Sequence, residues 1–138
     1  LSAQQPSPRT VADDIALAPF LLLPPRDWLR ARCDVRLDAM FDGGAIAEVE
    51  ALLARHLDPD LPVMRAIGVP QIAQYLRGET DRAEALTLAQ AATRQYAKRQ
   101  FTWFRHQPPA DWPRHEKSLN KDSINKIAII LRDMLLTG

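Results

Sequence analysis

The chain is poor in the residue types that most enzymes use for chemistry. Its 138 residues hold one cysteine, three histidines and five glycines. A single cysteine, Cys33, excludes an intrachain disulfide and fits a reducing, cytoplasmic compartment. No histidine stands near it in sequence to activate the thiol, so it reads as a small buried helix residue and not as a nucleophile. His56, His106 and His115 have no metal-ligand spacing with one another or with Cys33. None of Gly43, Gly44, Gly68, Gly78 and Gly138 lies in a G-x-x-x-x-G-K-[ST] pattern, so no backbone loop is set up to cradle phosphates. No run of about 18 apolar residues exists, and nothing reads as a membrane span. The apolar run over 16–23 is short, lacks a basic leader and stops at Pro24-Pro25, so it is neither a signal peptide nor an anchor. Net charge is only +1, so attraction for a polyanion has to come from local clustering. A complete active site is not expected within this chain alone.

The clustering is found in Ala91-Ala-Thr-Arg-Gln-Tyr-Ala-Lys-Arg-Gln-Phe-Thr-Trp-Phe-Arg105. These fifteen residues carry four cations, four aromatic rings and no acid. On a helix at about 100° per residue, Arg94, Lys98 and Arg105 fall within roughly 40° of one another. Thr102 and Arg99 extend that stripe on one side and Phe101 borders it on the other. Ala92, Tyr96, Trp103 and Phe104 lie opposite. The spacing predicts one face that packs, with Tyr96, Trp103 and Phe104 in the core, and one face that either holds a nucleic-acid backbone and an unstacked base or is simply solvated.

The remaining chain reads as helices with little strand. Residues 1–14 read as a linker. The apolar run over 15–23, closed by two prolines, predicts a buried strand. Trp28, Leu29, Cys33, Leu37, Met40 and Phe41 recur at helical spacing between Pro25 and Gly43-Gly44. A second helix carries Ile46, Val49, Leu52 and Leu53 and ends near His56. Residues 58–62 form a turn-rich connector. A short helix near 70–77 ends at Gly78, and Asp81 caps a long one through 105. Residues 111–113 read as a short extended piece. A last helix presents Ile124, Ile127, Ala128, Leu131, Met134 and Leu135 on one stripe, capped by Asp122 or Ser123.

Several motifs carry a family resemblance. Thr93-Arg94-Gln95-Tyr96-Ala97-Lys98-Arg99-Gln100, then Thr102-Trp103-Phe104-Arg105, resembles the T-R-Q-x-A-K-R-Q-x-T-W-[LF]-R signature of the bacterial tRNA dimethylallyltransferases. Tyr75-Leu76-Arg77-Gly78-Glu79 matches that family's Y-L-x-G-E element. Arg32 to Arg36, Met40 to Gly44 and Glu48-Val49 resemble its R-x-x-x-R…M-x-x-x-G…E-V run. Asp60 to Gly68 is similar to the segment leading into its glycine turn, except that Val69-Pro70 stands where the family usually has tyrosine. Order and spacing agree from about residue 15 to about residue 112, and beyond Trp112 the match is weak.

The resemblance implies a fold and a role. The fold class is mainly α with one or two short strands, the C-terminal portion of an α/β enzyme of P-loop-NTPase type. Residues 15–117 would complete the transferase core, with the tRNA-binding helix at 81–105, and 118–138 would form a C-terminal helix. Such enzymes move a dimethylallyl group from its diphosphate, with Mg²⁺, to N6 of the adenine 3′ of the anticodon. Their phosphate loop and catalytic aspartate lie upstream of the region represented here. The partners implied are the tRNA anticodon stem-loop and the missing P-loop part of the same enzyme, with no membrane and no DNA. This chain alone would bind neither Mg²⁺ nor dimethylallyl diphosphate. Arg36, or alternatively Arg32 four residues away, is the candidate catalytic side chain. Its guanidinium would steady the donor diphosphate or the flipped base. The other reading of Arg36 is an ion pair with Asp34 or Asp38. The candidate tRNA contacts are Arg65, Ala66, Ile67, Gly68 and Val69 at the glycine turn, and Arg94, Lys98, Arg99, Gln100, Phe101, Thr102 and Arg105 on the helix. A stand-alone helical RNA-binding module without catalysis is the alternative function.

Overall fold

The computed structural model describes residues 18–137. The linker expected over 1–14 lies outside them. In chain order the described residues form β1 (Leu21–Leu22), α1 (Arg26–Asp42), α2 (Ala45–Leu53), α3 (Val69–Leu76), α4 (Arg82–His106), β2 (Arg114–His115) and α5 (Lys121–Thr137). The fold is mainly α with two short strands, as the resemblance implies.

Local chemistry sets most boundaries. Pro24 and Pro25 supply fixed φ values just ahead of α1, where a missing N–H costs nothing. Gly44 and Gly68, at φ 117° and 102°, turn the chain into α2 and α3. A Cβ at either position would meet nothing within 4 Å, so backbone conformation and not crowding requires glycine there. The Asp81 carboxylate accepts the Glu84 N–H at 2.8 Å and caps α4, a bond worth about 1 kcal/mol. The Arg77 guanidinium donates to Glu79 just before this cap and holds the Glu79 carboxyl below the usual carboxylate range. At α5 the cap is Asn120 and not the expected Asp122 or Ser123. Asn120 Oδ1 accepts the Ser123 N–H and Ser123 Oγ accepts the Asn120 N–H, each at 2.8 Å. Ser123 is thus the reciprocal partner three residues in.

The strand expectation needs correction. Residues 15–17 fall outside the description, and of the rest only Leu21 and Leu22 are in strand. They pair in parallel with Arg114 and His115, so the extended piece expected over 111–113 lies slightly later. Leu21 is 5% exposed, Leu22 49% and Leu23 4%. That alternation marks a strand covered on one face, not a fully buried one.

The core is formed by Leu37 and Phe41 of α1, Ala45 and Val49 of α2, Ile72 of α3, and Ala85 and Ala89 of α4. The two alanines are completely buried. Four residues apart, they let α1 and α3 approach the α4 backbone closely. Cys33 is only half-buried. No described helix is long and apolar enough to cross a membrane. α5 leaves Ile124, Ile129, Ile130, Leu135 and Leu136 exposed, so its expected apolar stripe is at most partly covered by the described residues.

Candidate nucleic-acid interface

α1 and α4 run antiparallel, and a series of contacts fixes their register. Arg82 pairs with Asp42. Gln90 donates to Asp38 at 3.2 Å. Arg94 Nη1 donates to both oxygens of Asp34 at 3.0 Å. The Arg26 guanidinium sits 4.7 Å from the Phe101 ring centroid, close enough for a cation–π contact. As the α1 number falls, the α4 number rises. Asp34, Asp38 and Asp42 are four residues apart, so they form one acidic stripe facing α4.

This register revises the cationic stripe. Arg94 is half-buried and neutralised by Asp34, so it is a helix–helix cross-link and not a free phosphate contact. Phe101 is half-buried beneath Arg26, so one face of its ring is already occupied. By contrast Lys98, Arg99 and Arg105 are exposed and have no carboxylate partner among the described residues. No aspartate or glutamate occurs between Glu84 and Asp111, so their charge is not offset along the helix. The Thr102 hydroxyl bonds back to the Lys98 carbonyl at 2.9 Å, which leaves it as an acceptor only. Gln100 donates to the Tyr96 hydroxyl at 3.1 Å.

The far side of the helix also departs from expectation. Tyr96 is 46% exposed, Trp103 56% and Phe104 41%, so among the described residues these rings are not core. Length explains it. α4 has 25 residues and α1 has 17. With Arg26 at the start of α1 already opposite Phe101, the last turn of α4 runs past its neighbour. Trp103 and Phe104 meet each other edge to face at 5.0 Å. Lys98, Arg99, Thr102, Trp103 and His106 line a shallow open groove along the C-terminal half of the helix.

Arg114 holds the end of the helix. Its guanidinium donates to the carbonyls of Arg105, Pro108 and Pro109 at 3.1, 3.4 and 3.3 Å. A cation on the Arg105 carbonyl in the last turn complements the helix dipole. Because Arg114 belongs to β2, it ties the free half of α4 to the two-stranded sheet. Reading the motifs alone did not single out this residue.

The other candidate residues lie elsewhere. Arg32 and Arg36 stand on a second face of α1 with Trp28, whose ring lies 5.2 Å from the Arg32 guanidinium. They line an open groove with Val35, which is 68% exposed. Arg36 has no ion pair with Asp34 or Asp38, because those carboxylates face α4 and are taken by Arg94 and Gln90. At the glycine turn Arg65 is paired with Asp60. Ala66 and Ile67 are exposed, whereas Val69 is half-buried against the core. The Gly68 N–H is taken by Gln71 Oε1 at 2.9 Å and its carbonyl accepts the Ile72 N–H at 2.9 Å. Gly68 therefore serves the turn, and its polar backbone groups are already in use. Among the described residues no three His, Cys, Asp or Glu side chains gather as a metal cluster, and Asp34, Asp38 and Asp42 of α1 are engaged across the helix interface.

Comparison with known proteins adds the context. The family model described as IPP transferase matches residues 1–107. A tRNA dimethylallyltransferase of Sphingopyxis alaskensis is 72% identical over 136 residues, covering 99% of this chain and 44% of that protein. One from Novosphingobium aromaticivorans is 60% identical, covering 88% of this chain and 43% of its own length. The crystal structure of the full-length tRNA isopentenylpyrophosphate transferase from Bacillus halodurans superposes with a TM-score of 0.71 at 31% identity, over 88% of this chain and 41% of that one. The chain thus spans less than half the length of the relatives it matches. The first similarity continues past Trp112, where the motif match had weakened.

Proposed function

The chain belongs to the IPP transferase family, and from that premise we propose that it is the RNA-gripping C-terminal portion of a tRNA dimethylallyltransferase. The parent enzyme transfers a dimethylallyl group from its diphosphate to N6 of the adenine 3′ of the anticodon. The single observation that carries the RNA role is the group of exposed cations Lys98, Arg99 and Arg105 on the C-terminal half of α4, with no ion pair among the described residues and no acid between Glu84 and Asp111 in sequence. Phosphate contacts of this kind fix the position of an RNA and leave sequence choice to splayed bases.

Arg36 and Arg32 form the channel-side contribution. Arg36 is exposed and free of carboxylates among the described residues, and guanidinium geometry suits a diphosphate oxygen pair. The phosphate loop, the proton-accepting aspartate and the Mg²⁺ that assists the diphosphate belong to the parent outside this chain. The chain alone grips RNA and does not turn over.

Salt dependence tests this reading. The chain should bind an anticodon stem-loop with an affinity that falls as salt rises. Lys98→Ala and Arg105→Ala should each flatten the plot of log K against log salt by about 0.7 to 1 unit. Slopes equal to wild type in both variants would show that these side chains hold no phosphate.

A further inference from the structure

The exposed rings of α4 have no role in the RNA grip described so far. Tyr96, Arg99 and Trp103 follow one another at spacings of three and four residues, so they form one row on the helix surface. The Arg99 guanidinium lies 5.7 Å from the Tyr96 ring centroid. Lys98, Thr102 and Arg105 form the neighbouring row, at the same spacings. An aromatic row beside a cationic row, with an open groove between them, matches the needs of single-stranded RNA. Phosphates track the charges and unpaired bases lie on the rings. The edge-to-face contact with Phe104 holds the Trp103 indole in place while more than half of its surface remains open. A paired base cannot use such a platform, because its faces are already stacked.

We propose that Trp103 is a stacking platform for an unpaired base of the RNA loop, with the adjoining phosphates on Lys98 and Arg99. Trp103 thereby selects looped RNA over continuous duplex. The inference rests on the RNA-binding reading of α4 and goes beyond it by assigning the rings. Charge complementarity favours RNA as the occupant: a purely apolar polypeptide would leave Lys98 and Arg99 desolvated without partners.

The test uses this chain with a stem-loop RNA and with a blunt duplex of the same stem. The indole N–H resonances of its three tryptophans are assigned with Trp103→Phe. The Trp103 resonance should move on addition of the stem-loop and stay in place with the duplex. Trp103→Ala should weaken stem-loop binding roughly 5- to 150-fold, the range for losing one base stacked on an aromatic side chain. Duplex binding and the salt slope should not change, and Trp103→Phe should restore most of the affinity. Stem-loop binding with a normal salt slope but an unmoved Trp103 resonance overturns the stacking role and leaves the basic helix intact. Equal losses for stem-loop and duplex in Trp103→Ala also overturn it, because they mark the ring as packing. Absence of RNA binding in the folded wild-type chain removes both readings together.

Discussion

Replacing Lys98, Arg99 and Arg105 together by glutamine is expected to lower affinity for an anticodon stem-loop by about 100-fold near 0.1 M salt. Each phosphate contact on single-stranded nucleic acid contributes about 0.7 to the salt slope, so three contacts account for a change of about 2. Glutamine removes the charge and keeps the helix preference of the originals, and none of the three side chains forms an ion pair among the described residues. The triple variant should therefore unfold at the wild-type denaturant midpoint. Isothermal titration at several salt concentrations measures the slope. A loss of affinity without a change of slope would mean that the charges act indirectly. Arg94 is excluded from this set because its replacement would leave Asp34 partly buried without its partner, mixing stability with binding.

The second large effect is on stability. Phe41→Ala should cost about 3–5 kcal/mol. Phe41 is 4% exposed and sits among Leu37, Val49, Ile72 and the α4 alanines. The whole chain has on the order of 5–15 kcal/mol to lose, so a large share of its stability depends on this one ring. The cost also reaches function: Phe41 lies on α1, which sets the register of α4 through Asp34, Asp38 and Asp42. RNA binding should fall in step with the folded fraction. Phe41→Leu, which preserves most of the volume, should cost less than about 1.5 kcal/mol. Urea unfolding separates the two variants, and equal midpoints would show that the core is not centred there.

Much of the helical layout was legible because local chemistry dictates it. Pro25 and Gly43 bracket α1. Asp81 reads as a cap and is one. Gly68 and Gly78 stand where φ is positive. The features that were not legible depend on which elements become neighbours. Ala85 and Ala89 are the most buried of the described residues in the core, yet alanine carries no pattern signal on a surface-like helix. A helical wheel sorts Tyr96, Trp103 and Phe104 onto one side, but it cannot show that α1 leaves that side uncovered and does not extend past Phe101.

The candidate site was legible in composition and misjudged in detail for the same reason. Arg94 shares an angle with Lys98 and Arg105, but only the antiparallel register reveals Asp34 opposite it. The spacing of Asp34, Asp38 and Asp42 was the available signal, since three acids at intervals of four ask for cations on a facing helix. Arg114 gave no signal, because its partners are backbone carbonyls of the last helical turn and the loop after it, which carry no side-chain pattern. The ion pair that sequence spacing allows Arg36 does not form, because both aspartates turn towards α4.

Photo-cross-linking gives the most direct test of where RNA sits. An anticodon stem-loop carrying 4-thiouridine in its loop and stem is irradiated with the chain, and the joined peptides are sequenced. RNA held on the free half of α4 yields adducts within residues 95–106. Adducts confined to α2, the connector at 54–68 or α5 at saturating RNA would contradict that placement.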